Sequence, residues 1–170
     1  MQIKTERLTI TIFTPDMAQA VYENSQDEDT RRFVPDEVYD SVKDARAAIE
    51  FLISRYDRAD GPFVYPVLTH EGQNIGYVQL CKLEDGSWEI GYHSAKAFTG
   101  KGYVSEAVNA FLPATAQRLN IKEAYGICLT ENAASVRVLE KCGFTQIYTG
   151  TGNYQGQEAQ IIKAIWKNYN

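Results

Sequence analysis

Three groups of residues in this chain have the types and spacing that chemistry requires. The run Phe98-Thr99-Gly100-Lys101-Gly102-Tyr103-Val104-Ser105-Glu106-Ala107 lies between a strand-like and a helix-like segment. Glycines at such a junction let backbone N–H groups converge on an anion. A helix entered at Gly102 adds its free N-terminal donors and positive dipole end, so phosphate or pyrophosphate is the natural ligand. A plain tight turn is the alternative. Neither common nucleotide fingerprint fits, because Gly100-Lys101-Gly102 lacks the third glycine of Gly-x-Gly-x-x-Gly and no Gly-Lys-Ser/Thr stands at Walker spacing. The second group is Asn132 and Ser135, one helical turn apart and therefore on one helix face. Asn132 is equally a good N-cap, with Ser135 its first-turn neighbour. The third group sits on a strand, where alternation puts Glu89, Gly91 and His93 on one face and Trp88, Ile90 and Tyr92 on the other. Gly91 opens room between two ionisable side chains, either of which can take a proton directly or through water. A hydrogen-bonded structural glutamate is the alternative. A serine nucleophile with a triad is not visible: the histidines are His70, in a turn, and His93, and no Gly-x-Ser-x-Gly elbow exists.

These groups need elements to position them. Arg7 to Thr14 alternates apolar and β-branched residues and reads as a first strand, ended by Pro15-Asp16. Thr14 as N-cap and Pro15 as first helical residue open a helix to about Ser25. Asp27 to Asp29 and Pro35 read as loop, and Ser41 begins a second helix with Ala45, Ala48, Ile49 and Leu52 at helical spacing. Phe63 to Thr69, Asn74 to Lys82 and Ser87 to Ser94 form an antiparallel meander joined by turn-rich links. A helix from Gly102 to Leu119, a strand from Glu123 to Leu129 and a helix from Asn132 to Lys141 follow, with Pro113 expected to kink or end the first of these helices. Strands at Thr145 to Gly150 and Glu158 to Trp166 flank a turn at Asn153-Tyr154-Gln155-Gly156. Interleaved strands and helices plus a meander indicate an α+β, or mixed α/β, architecture.

Bulk composition narrows the function classes. The chain has 170 residues, 44% of them hydrophobic, which suits one domain, 1–170, with a single core. Cys81, Cys128 and Cys142 are odd in number and irregularly spaced, arguing against a disulfide framework and a zinc site and for a reducing, cytoplasmic setting. Cys142, before Gly143-Phe144 at a helix end, reads as core packing. No apolar signal core opens the sequence and no segment approaches the roughly 20 apolar residues of a membrane span, so no membrane partner is expected. A net charge of −5 without a basic run leaves no nucleic-acid footprint and suits a cationic partner such as an amine.

The glycine run, with Asn132-Ala133-Ala134-Ser135-Val136-Arg137-Val138-Leu139-Glu140-Lys141-Cys142-Gly143-Phe144 about thirty residues downstream, resembles the GNAT superfamily of acetyl-CoA-dependent N-acetyltransferases, in its RimJ/RimL-like branch. Ile90-Gly91-Tyr92, Glu106-Ala107 and the opening Thr5-Glu6-Arg7-Leu8 extend the likeness over nearly the whole chain. The resemblance implies a central, mostly antiparallel twisted sheet flanked by helices, with a splay between the fourth and fifth strands where pantetheine lies. It implies that Tyr92, His93 and Ser94 pair with the cofactor through their backbone, that Thr99, Gly100, Lys101, Gly102, Tyr103 and Val104 form the pyrophosphate loop, and that Asn132 contacts the pantetheine arm. Ser135 would approach the thiol as proton donor or orienting group. Thr99 and Val104 depart from the usual Gln or Arg and Gly or Ala. Where other members carry an acidic tyrosine seven residues after the asparagine, this chain has Leu139. No covalent enzyme intermediate is required, so Glu89 and His93 become the candidate general bases for an attacking amine. The acceptor implied is the α-amine of a peptide or protein, or else a small-molecule amine. Arg31, Arg32 and Phe33 fall where the family builds its acceptor wall, although a solvated charge pair also explains the arginines. A CoA-binding sensor without catalysis remains the alternative from another class. The oligomeric expectation is a monomer or homodimer.

Overall fold

The computed structural model describes residues 1–168. The strands are β1 (Ile3–Lys4), β2 (Leu8–Ile10), β3 (Phe63–Thr69), β4 (Asn74–Lys82), β5 (Trp88–Ser94), β6 (Glu123–Leu129), β7 (Thr145–Tyr154) and β8 (Gln157–Lys167). The helices are α1 (Ala18–Asn24), α2 (Glu28–Phe33), α3 (Val42–Arg55), α4 (Tyr103–Leu119) and α5 (Ala133–Lys141). One eight-stranded sheet runs β1-β2-β3-β4-β5-β6-β8-β7. Every neighbouring pair is antiparallel except β5 and β6, which are parallel.

Strand alternation divides the apolar side chains between two layers. Phe63, Tyr65, Val67, Val78, Leu80 and Ile90 meet Val108, Phe111 and Leu112 of α4 and Leu139 of α5 in the main core. Val64 faces the opposite way and packs with Phe13, Ala18 and Ile49 beneath α1 and α3. The helices therefore cover both faces of the sheet. The short turn between β7 and β8 puts Gln155 at φ 51° and Gly156 at φ 79°, the left-handed pair that a tight hairpin demands.

Four sequence expectations are corrected by this arrangement. The expected strand from Arg7 to Thr14 is reduced to Leu8–Ile10, because Phe13 leaves the ladder to enter the second core. The expected loop after Asp27 is a helix, α2, with Asp27 capping Thr30 N–H at 3.0 Å and Arg31 and Arg32 in its last turn. Pro113 does not end α4, which continues to Leu119 and stops at Asn120 in the left-handed region. Pro113 and Asn109, whose carbonyl loses its helical donor there, both lie on the exposed side, where solvent is within reach of the freed carbonyl. The strand expected to end at Gly150 continues to Tyr154.

Candidate active site

The ladder between β5 and β6 is joined at Glu89 and Tyr125 alone, although both strands continue for several residues. Antiparallel partners β4 and β8 hold the outer sides of these strands along their length, so past Glu89 the two diverge. The splay expected between the fourth and fifth strands, counted from the one that begins at Arg7, is this split between β5 and β6. Ile90 to Ser94 thus carry backbone groups on an edge inside the sheet, free to pair with an extended ligand as a strand would.

At the open end of β5 the chain turns through Gly100 at φ 74° and Gly102 at φ 80° into α4. These left-handed conformations come readily only to glycine. The first α4 amide with a backbone acceptor is that of Glu106, on Gly102 O at 3.0 Å; the donors ahead of it are those a helix start leaves free. Thr99 and Lys101 fold their exposed side chains back on the preceding turn, Oγ1 donating to Lys96 O at 2.9 Å and Nζ to Ala97 O at 2.8 Å. Tyr103 lies under the Arg7 guanidinium, 4.3 Å from its ring centre, and Val104 is half-buried against the core. Glu106 closes the junction from within. Its carboxylate accepts from Thr5 Oγ1 at 2.5 Å, Arg7 N at 2.9 Å and Arg7 Nε at 2.6 Å, while Arg7 Nη1 donates to Lys101 O at 3.0 Å. The opening Thr5-Glu6-Arg7-Leu8 and the Glu106 of the glycine run, remote in sequence, are two halves of one clamp.

On the main-core side of β5, Tyr92 reaches α5. Its hydroxyl lies 3.1 Å from Ser135 O, to which it can donate, and 2.8 Å from Ser135 Oγ. Burial raises the Tyr92 hydroxyl above its ordinary range, with the Ser135 hydrogen bond pulling the other way. Burial likewise raises the Cys128 thiol on β6, again opposed by a hydrogen bond from Ser135. Ser135 is therefore the hydroxyl at which β5, β6 and α5 meet. Asn132 caps α5, its Oδ1 accepting from Ser135 N at 3.1 Å. Leu139 is 3% exposed and packs against Gly126 so closely that a Cβ there would fall 2.4 Å from Leu139 Cδ2. The position thus seats α5 on β6. Phe144 N bonding Leu139 O at 3.0 Å and Gly143 N bonding Glu140 O at 3.1 Å end α5 as a Schellman motif, with Cys142 buried as expected.

The other face of β4 and β5 floors a cavity of about 330 Å³. Phe13, Ile49, Leu52 and Val64 form its apolar wall, and Tyr77, Gln79, Cys81 and His93 its floor. Glu89 and His93 share that face, as alternation requires. The gap left by Gly91 is filled by Gln79, whose Nε2 would stand 2.4 Å from a Cβ. Burial pushes the Glu89 carboxyl up to about 7, with the Lys163 charge acting against it. His93 is lowered by burial, and the Asp27 charge acts against that shift. Its ring stacks on Tyr77 at 5.6 Å, and Nε2 lies 2.8 Å from Thr30 Oγ1. Glu37, which no motif marked, also lines the cavity; burial raises its carboxyl while a Tyr77 hydrogen bond opposes the rise.

The fold so brings Glu89, His93, Tyr92, Ser94 and Ser135 to the two sides of the β5–β6 split, with the glycine loop at its open end. Arg32 stays at the rim, paired with Glu131 at 2.8 Å beside Asn132, and Arg31 bonds Gln26, in keeping with a solvated pair. Asp27, Thr30, Glu37 and the Tyr92 hydroxyl escaped the sequence. The signal for Asp27 was an acid three residues before Thr30, ahead of two arginines; Glu37 had none, since only tertiary folding carries it over β4.

Residues 7–145 match the model of the acetyltransferase (GNAT) domain. An uncharacterized N-acetyltransferase, YnaD, of Bacillus subtilis (strain 168) is 32% identical over 145 residues, spanning 84% of this chain and 82% of YnaD. A GNAT-family acetyltransferase from Bacillus anthracis superposes with a TM-score of 0.84 at 24% identity, covering 98% of each chain. RimL, the ribosomal L7/L12 alpha-N-protein acetyltransferase solved in complex with coenzyme A, superposes with a TM-score of 0.81 at 18% identity, again covering 98% of each chain. With the split sheet and the glycine turn at its mouth, these likenesses establish that the chain belongs to the GNAT acetyltransferase family.

Proposed function

We propose that this protein moves acetyl from acetyl-CoA to a primary amine by direct attack in a ternary complex. The observation that carries the reading is the β5–β6 split, which has free strand edge inside, an anion-ready helix start at its mouth and a carboxyl titrating near neutrality at its vertex. The residues present fit acetyl-CoA. The amides of Gly100 to Val104 suit a pyrophosphate, the β5 backbone from Tyr92 to Ser94 suits the amides of pantetheine, and Asn132 stands beside that path. When bound, acetyl-CoA supplies an acetyl group activated as a thioester. Glu89 accepts the proton of the incoming amine, and a site near neutrality is suited to that task. His93 is the second candidate. Ser135, backed by the Tyr92 hydroxyl, donates a hydrogen bond or proton toward the departing sulfur.

For the acceptor we place the α-amine of a peptide or protein first, as RimL's name describes for that enzyme. A small-molecule amine is the second reading, favoured by the modest cavity of about 330 Å³. The domain spans 1–170 and works in the cytoplasm as a monomer or homodimer. Thiol release from acetyl-CoA in the presence of N-terminal peptides and a panel of small amines tests the proposal. Amine-dependent release is expected; coenzyme A binding without release from any acceptor would favour a non-catalytic CoA sensor.

A further inference from the structure

The hydrogen-bond polarities around His93 determine one another. Asp27 is an acceptor only, and its Oδ1 is engaged by Thr30 N at 3.0 Å in the cap of α2. Its other oxygen, Oδ2, lies 2.8 Å from Thr30 Oγ1, so the single hydroxyl proton of Thr30 points to Asp27. Thr30 Oγ1 is then an acceptor toward His93, 2.8 Å from Nε2, and Nε2 must carry hydrogen. Thr30 is 3% exposed, so water does not compete for these bonds. In a neutral imidazole the remaining nitrogen, Nδ1, is bare. Among the described residues no donor is paired with it, and His93 lines the cavity.

We propose that Asp27 and Thr30 are positioning residues that hold His93 as its Nε2–H tautomer, so that Nδ1 accepts a hydrogen bond from the N–H of the acceptor amine. This rests on the amine-transfer reading. His93 exchanges no proton in this role; it orients the amine. The charged and titratable groups around the ring are consistent with an imidazole that stays neutral. Asp27 reaches it from the α2 cap through Thr30, and Tyr77 stacks on it from β4 with Glu37 and Tyr39 behind. Burial outweighs the Asp27 charge and depresses the ring's affinity for a proton. The neutral ring therefore favours the fold above its ordinary titration range, and that contribution is lost as pH falls through the depressed value.

Asp27→Asn is the decisive variant. Asparagine caps a helix as well as aspartate does, so α2 is retained. Its amide, placed where Oδ2 was, donates to Thr30 Oγ1, turns the hydroxyl proton toward His93 and moves the ring hydrogen to Nδ1. Nitrogen NMR of histidine-labelled protein, with His70→Asn to assign the two rings, reads this directly. The expected results are an Nε2–H tautomer in the wild type and in Thr30→Ser, and an Nδ1–H tautomer in Asp27→Asn. Titration of the wild-type complex with coenzyme A by alaninamide should shift the Nδ1 resonance. In turnover, Asp27→Asn should raise KM for the amine by roughly tenfold, the loss of one hydrogen bond, and leave KM for acetyl-CoA unchanged. A wild-type Nδ1–H tautomer, an unchanged tautomer in Asp27→Asn, or an Nδ1 resonance indifferent to alaninamide would each overturn the proposal. Absence of turnover with every amine would instead count against the transfer reading, because the tautomer and titration measurements do not require it.

Discussion

Glu89 is a carboxyl whose surroundings favour its neutral form. Burial raises it from 4.5 to about 7, so ionisation costs the fold on the order of 3 kcal/mol. The sign follows from linkage: stability is full below the unfolded-state value, declines as pH rises from 4.5 toward 7, and stays reduced above that. Glu89→Gln should therefore raise Tm at pH 8 and leave it nearly unchanged at pH 5. The same variant should lower kcat/KM about a hundredfold and remove a rise in activity centred near pH 7. A wild-type pH profile in Glu89→Gln would take the proton-accepting role away from it. In the proposed reaction Ser135 works at the other side of the split, its hydroxyl, shared with Tyr92, serving the sulfur only as charge develops there. Ser135→Ala should thus lower kcat by roughly tenfold while the affinity for coenzyme A, measured by calorimetry, holds. Equal losses in both would reduce Ser135 to a packing role in α5.

Among the elements, the junction of β5 and α4 carries the binding chemistry of the proposed function. Gly102 sits at φ 80°, where a side chain is strained by about 1–2 kcal/mol, yet a Cβ there would meet nothing closer than Arg7 Nη2 at 3.6 Å. Gly102→Asp should accordingly fold, with a modest fall in Tm, because a carboxylate at a helix start is electrostatically welcome and Arg7 is at hand. Its charge would occupy the place offered to a pyrophosphate. Affinity for coenzyme A should fall about a hundredfold by calorimetry; an unchanged affinity in the folded variant would remove the loop from the site. Helix α5 positions Ser135 by a different device: Leu139 on Gly126 sets how near the helix lies to β6.

Across the whole molecule, Glu106 joins the start of the chain to the start of α4, and so joins one edge of the sheet to the site at its centre. Its carboxylate receives Thr5 and Arg7, and these bonds together with the Arg7 charge hold it below the ordinary range against the opposing effect of burial. A depressed carboxylate stabilises above its unfolded-state value, and the contribution disappears as pH falls through the folded one. Glu106→Ala should cost roughly 1–3 kcal/mol, a Tm loss of several degrees at neutral pH, and should weaken coenzyme A binding by loosening Lys101 and Tyr103. An unchanged Tm would mean that α4 is seated without the clamp.

The sequence by itself determined what repeats locally. Strand-like runs set off by turn-rich links marked β3 to β5, the period of two in β5 marked the face shared by Glu89 and His93, and the glycines before Tyr103 marked the turn and the helix that follows. Residues Asn132, Gly143 and Phe144 bracketed α5 because capping is a matter of neighbours in the chain. Short, weakly periodic pieces were legible only in part: α2 carried its cap and charges but is six residues long, and the first strand lost Phe13 to a core that no local pattern reveals. Tertiary structure alone decided the rest. It closed β5 on β6 at one point and opened them beyond it, laid Tyr92 on Ser135 across that opening, brought Thr5 and Arg7 to Glu106, and set Thr30 between Asp27 and His93. Such contacts depend on where distant elements come to rest, and a side chain's hydrogen-bond polarity and affinity for protons are fixed only once its burial and partners are.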